Sequence, residues 1–226
     1  MLETYRVEKK FIVDKITAEK TKHLLKLSMS PDTNNGIDGY EVRSLYFDSI
    51  YDDDFFDKKE GLENRKKIRL RTYGHSSEII KLEVKEKRGE SQLKRSLIIN
   101  KEEAEKMIRG DYRFLLLKDS DLSKDIYLEM TQKLYRPKTL IEYKREAYIM
   151  KSNDVRITFD TKLTSSEANF DIFSEEIPMN QIYFETIMEV KYRDFLFEYI
   201  KKIIRGIDKK EVSVSKYVLG RRLGHR

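Results

Sequence analysis

Arg69 and Arg71 stand two residues apart in KIRLRTYG, and beyond a Tyr73-Gly74-His75-Ser76-Ser77 turn the series Lys81, Glu83, Lys85, Lys87 repeats the same step. In an extended chain, side chains two apart point to one face, so these cations share a face while Ile68, Leu70, Leu82 and Val84 take the other. Like charges opposite one another destabilise a hairpin. A bound polyanion is the compensation such a pattern calls for. The same phase recurs in Arg6, Glu8 and Lys10 of YRVEKKFIVD, in Lys94 beside Gln92 and Ser96, in Arg156 with Thr158 and Asp160, and in Glu189 with Lys191. Guanidinium forks suit pairs of anionic oxygens and ammonium groups act as point charges, so what this lining offers is the grip on a polyanion.

Four carboxylates, Glu8, Glu83, Asp160 and Glu189, lie among the cations. They either balance charge across strands or hold Mg²⁺ or Mn²⁺, ions that take oxygen ligands and share them with substrate phosphates. Glu189 is the first choice for a metal ligand and Glu8 the second. Tyr73, Tyr143 and Tyr148 either stack on bases or pack within strands. The histidines at 23, 75 and 225 have no metal-ligand spacing, and neither a GxSxG nucleophile motif nor a glycine-rich GK[ST] loop is present.

These side chains need strands to carry them. Alternation, and at 40–48 a run of aromatic and branched residues, predicts strands over residues 5–14, 40–48, 92–100, 140–150, 155–163 and 185–192, together with the hairpin inside 65–96. Helical spacing is found at 17–27, 101–109, 123–134 and 194–204, with a short helix or loop after Asp52, a polar loop over 164–180, and a tail bearing Ser213, Ser215 and Lys216. Strict alternation groups Arg145 with Ile141, Tyr143 and Ala147, so periodicity alone does not select it. The expected fold class is α+β: an eight-stranded antiparallel β tunnel with a polar interior and helices packed outside. A single domain over residues 1–226 suits this length.

Charged residues make up 38% of the chain, yet the net charge is only +6, too little for a simple nucleic-acid coat, and no DNA partner is expected. With no cysteine, disulfides and thiolate metal sites are excluded. The N-terminus has no apolar signal region and no run is long enough to span a bilayer, which leads us to expect a cytoplasmic protein without a membrane segment.

The motifs RVEKKFIVD, SLYFDSIYDDDFFDKKEG, KIRLRTYG, IKLEVKEKRGESQLKRS, YKREAYI, DVRITFDTKL, MEVKY and VSKY, in this order, resemble the polyphosphate polymerase domain of the vacuolar transporter chaperone (VTC) family, a branch of the triphosphate tunnel metalloenzymes. The resemblance implies an eight-stranded tunnel in which Lys10, Arg69, Arg71, Lys85, Lys94, Arg145, Arg156, Lys191 and Lys216 contact nucleotide and chain phosphates, and Glu189 binds metal. It selects Arg145 and Lys216, which the residues themselves did not. The superfamily's hydrolytic members resemble ExExK at the first strand, whereas this chain has Arg6, Glu8 and Lys10. Trading a carboxylate for a cation favours holding a longer anion.

The resulting expectation is an enzyme, a metal-dependent polymerase moving the ATP γ-phosphoryl group onto inorganic polyphosphate. Arg69, Arg71, Lys85, Arg145 and Arg156 act on the transferring group, Lys10, Lys94, Lys191, Lys216 and Arg6 bind substrate, and Glu189 and Glu8 hold Mn²⁺ or Mg²⁺. Such transfer needs alignment and charge neutralisation more than covalent help. The alternatives are a tripolyphosphatase or nucleoside triphosphatase of the same fold, and a non-catalytic module that binds polyphosphate or RNA.

Overall fold

The structure, a computed structural model, describes residues 7–89 and 91–221. In chain order the elements are β1 (Val7–Val13), α1 (Lys15–Lys26), β2 (Ser30–Pro31), β3 (Tyr40–Asp48), α2 (Asp53–Glu60), β4 (Arg65–Tyr73), β5 (Ile80–Arg88), β6 (Ser91–Ile99) and α3 (Lys101–Ile108). A 3₁₀ turn (Arg113–Leu117), α4 (Asp121–Gln132), β7 (Arg136–Met150), a second 3₁₀ turn (Ser152–Asp154), β8 (Val155–Ser166), β9 (Asn180–Tyr183), β10 (Thr186–Tyr192), α5 (Glu198–Arg205), β11 (Lys210–Glu211) and α6 (Lys216–Gly220) follow. The class is α+β, with one large, mainly antiparallel sheet and helices against its apolar face.

The sheet has 11 strands, in the order β11-β1-β10-β8-β7-β3-β4-β5-β6, with β2 on β7 and β9 on β8. The surplus over eight is β2, β9 and β11, of 2, 4 and 2 residues. The expected closure is not seen among the described residues: the pairing order has two ends. At one of them β6 alternates between half-buried and exposed positions and carries Lys94 and Arg95, charges of the kind that discourage further pairing at an edge.

The chain folds into two compact units. The first comprises residues 1–41, 143–163 and 183–214. Its core is built from Phe11 and Val13 of β1, Met188 and Val190 of β10, and Val155, Ile157 and Phe159 of β8, packed against Ala18 and Leu25 of α1 and Ile200 and Ile204 of α5. The second comprises residues 42–142, 164–182 and 215–226. There Leu45 and Phe47, Ile68 and Leu70, and Leu82 and Val84 meet Ala104 and Met107 of α3 and Ile126 and Met130 of α4. Fully burying each of the Val, Leu, Ile, Phe and Met side chains among these contributes about 1.5–3 kcal/mol. In both units the apolar alternates face the helices, and this turns the intervening polar residues of the same strands to the opposite face.

Local chemistry sets the helix starts. Asp14 accepts the Thr17 N–H at 2.9 Å to cap α1, and Asn100 and Glu103 form a capping box at α3. The last long helix begins four residues later than the 194–204 spacing suggests. Phe197 is extended (φ −58°, ψ 143°), the Phe195, Phe197 and Tyr199 rings pile on one another, and Asn153 donates to the Phe195 carbonyl at 3.1 Å. These contacts hold the segment away from helical geometry. β11 and α6 occupy what reads in sequence as a tail.

Candidate functional site

In the first unit, β1, β10 and β8 lie in a register that lines up the predicted residues. Glu8 faces Lys191, which faces Arg156, and Lys10 faces Glu189, which faces Thr158. Lys10 Nζ lies 3.0 Å from Glu8 and 3.6 Å from Glu189, while Lys191 Nζ lies 2.9 Å from Glu189 and 3.5 Å from Glu8. Two carboxylates and two ammonium groups thus alternate. Burial opposes the Glu189 charge, but Lys191 and Lys10, with Glu8 and Arg145, outweigh it and hold this carboxyl well below the usual range. Arg145 makes a two-pronged pair with fully buried Asp160, Nε to Oδ1 at 2.6 Å and Nη2 to Oδ2 at 2.7 Å, and its guanidinium lies 5.2 Å from the Tyr143 ring centroid. Burial works against the Arg145 charge too, and Asp160 more than offsets it, raising its pKa. Arg156 is held by Asp32 at 2.8 Å and donates to the Tyr40 hydroxyl at 3.0 Å.

In the second unit β4, β5 and β6 build a cationic patch around one buried carboxylate. Glu83, 1% exposed, receives Arg69 through Nε at 2.8 Å and Nη2 at 2.6 Å, Arg71 Nη1 at 3.7 Å, and Lys94. Arg69 also donates to the Tyr46 hydroxyl at 2.8 Å. Burial pushes the Glu83 carboxyl up, yet Arg69, Arg71 and Lys94 together hold it far below the ordinary range. Three positive charges around one negative leave this patch net positive. The like-charge register expected from sequence is present: Arg71 faces Lys81, Arg65 faces Lys87, and Lys67, Lys85 and Lys94 form a row across three strands. Lys67 donates to Ser215 Oγ at 2.6 Å, and Ser215 caps α6, whose first residue is Lys216.

The structure therefore gathers Glu8, Lys10, Glu189 and Lys191 in one cluster, pairs Arg145 and Arg156 with acidic partners in the same unit, and gathers Arg69, Arg71 and Lys94 in another with Lys85 in register. Lys85 and Lys216 are half-buried, and Arg6 lies outside the described residues. Lys67 was missed although it is in phase with Arg69. Asp32 was missed because PDTNNG reads only as a turn, and Tyr40 and Tyr46 because strand tyrosines carry no positional signal. Among the described residues no group of three or more His, Cys, Asp or Glu side chains is placed to hold a metal ion. Glu8 and Glu189 share the same two ammonium partners, Lys10 and Lys191, and a pair of carboxylates suits an ion that completes its shell with substrate oxygens.

The family profile for the VTC domain matches residues 5–225. The chain belongs to the VTC domain family. Among curated proteins, none matches it in sequence. The VTC-domain chain is similar in structure to a candidate adenylyl cyclase from Hippeastrum described as having a dominant triphosphatase activity, with a TM-score of 0.56 and 13% identity over 96% of this chain and 95% of the other. It is also similar to a candidate adenylate cyclase from Vibrio parahaemolyticus, with a TM-score of 0.53 and 12% identity over 96% and 99% of the two chains. At such identities the likeness is one of fold. No helix among the described residues is long and apolar enough to cross a membrane.

Proposed function

We propose that this VTC-domain chain is a metal-dependent polyphosphate polymerase. A terminal oxygen of the polyphosphate attacks the ATP γ-phosphorus, a new P–O–P bond forms as the bond to the β-phosphate oxygen breaks, and ADP leaves. The carrying observation is the net-positive patch on Glu83, where Arg69, Arg71 and Lys94 are already oriented by a buried counter-charge. Groups fixed in advance stabilise a transferring phosphoryl group without reorganising. Arg145 and Arg156, each locked to an acidic partner, present guanidinium edges in the same way, and Lys10, Lys85, Lys191 and Lys216 add point charges. Glu189 and Glu8 would hold Mn²⁺ or Mg²⁺, which when bound neutralises phosphate charge.

Lys10 and Lys191 both lie against Glu8 and Glu189, and this favours transfer to phosphate over attack by water. A carboxylate so covered is a poor general base, and a polyphosphate terminus needs none. The partners are ATP and inorganic polyphosphate, in the cytoplasm. Incubation with ATP and Mn²⁺ should yield long-chain polyphosphate on a gel, and Arg71→Ala should cut the rate about a hundredfold. Phosphate release without polymer would instead indicate a triphosphatase, and metal-independent binding without turnover a polyanion-binding module.

A further inference from the structure

Three tyrosines could stack on a base, and the structure separates them. Tyr143 and Tyr148 are each 1% exposed, whereas Tyr73 is 37% exposed. Tyr73 is the last residue of β4 and lies in phase with Arg71 and Arg69. It therefore stands on the cationic face at the end of the arginine ladder, about 13 Å along the strand from Arg69 at the usual rise per residue. Lys81, which faces Arg71 across the hairpin, places Nζ 5.2 Å from the Tyr73 ring centroid and 3.4 Å from its hydroxyl. The turn beyond is fixed: Thr72 Oγ1 donates to the Gly74 carbonyl at 2.9 Å, and Gly74 takes φ +60°, a conformation that glycine adopts without strain. The ring is thus partly in solvent, held at the strand end and next to a cation, while phosphate-gripping groups begin two residues away on the same face.

We infer that Tyr73 and Lys81 form a nucleobase subsite. The exposed Tyr73 ring stacks on the base of a nucleoside triphosphate while Lys81 Nζ meets the phosphate nearest the sugar, and Arg71 and Arg69 take the phosphates farther along. The base face is sequence-tolerant because every base offers a π surface. The ammonium beside the ring adds cation–π attraction. This rests on the phosphate-transfer reading and adds to it a reason for choosing a nucleotide over inorganic phosphate chains.

The test is calorimetric binding of ATP and of inorganic tripolyphosphate to the full chain, compared with Tyr73→Ala and Tyr73→Phe, with unfolding midpoints measured alongside. Tyr73→Ala should weaken ATP about tenfold, within the range of one stacked base. It should leave tripolyphosphate unchanged, and Tyr73→Phe should retain wild-type ATP affinity. Equal weakening of both ligands, or none for ATP, would overturn the subsite. A wild type that binds tripolyphosphate with no preference for ATP would overturn it too, while leaving the phosphate reading standing. Binding of neither ligand would end both. A Tyr73-dependent preference for ATP without polymer formation would uphold the subsite and remove the polymerase.

Discussion

Asp160 is fully buried, and its two bonds to Arg145 are what let a guanidinium sit where water is scarce. Removing one partner of such a pair leaves the other charge uncompensated, which costs about 3–5 kcal/mol. Asp160→Ala should therefore lower the urea unfolding free energy by about that amount, and Asp160→Asn, which keeps one acceptor, by less. An unfolding free energy within about 0.5 kcal/mol of wild type for the alanine variant would show that Arg145 does not depend on this anchor. The Asp160 face was legible because VRITFD alternates cleanly. Arg145 was not, since its strand has both faces substantially buried and alternation carries no contrast there. Its partner stands on the next strand, a relation that no single-strand period encodes. Lys67 was legible in principle, being in step with Arg69 and Arg71, but the neighbouring Lys66 obscures the phase.

Elements marked by composition or phase were the readable ones: α1 and α3 as runs of helix formers, β3 by its aromatic and branched residues, and β6 by Lys94 in step with Gln92 and Ser96. The five-residue α6 and two-residue β11 are too short to show a period. Their place is set by tertiary contacts, as when Tyr217 donates to Asp48 at 2.5 Å. The turn before β3 shows how an element can depend on a missing side chain. Gly39 has φ +89°, and a Cβ there would lie 2.4 Å from the Arg145 carbonyl oxygen. Gly61 has φ +79° with nothing within 4 Å. The two glycines share the conformational demand, and Gly39 alone adds a backbone collision at the strand that carries Arg145. Gly61→Ala should cost about 1–2 kcal/mol, and Gly39→Ala clearly more, with a matching loss of activity as Arg145 shifts. Equal losses in chemical denaturation would mean that the turn yields and the close approach is unimportant.

For the molecule as a whole, periodicity told which face of each strand is polar but not how the strand order ends, because a repeat of two describes a strand's sides and says nothing of its edge partners. What the faces do fix is a response to acid. Glu83 titrates far below the ordinary value of 4.5 when folded, and Glu189 is also lowered. A carboxylate with a depressed folded pKa contributes stability that is fully present above its unfolded value and is lost as pH falls toward the folded one. Asp54 runs the other way: burial and the Asp48 charge raise it, so its contribution is present in acid and fades as pH rises. The depressed pair should dominate below about pH 4, where the unfolded glutamates are largely protonated and Asp54 differs little between the two states. Unfolding free energy measured by urea should then fall between about pH 4 and pH 2, with Glu83 alone accounting for up to about 1.4 kcal/mol per pH unit. Glu83→Gln should be less stable at neutral pH, because Arg69 loses its counter-charge, and should show a slope flatter by about that one proton. Parallel curves for the two proteins would mean that Glu83 is protonated as easily in the folded chain as in the unfolded one, and that the three cations around it do not act as a single charged patch.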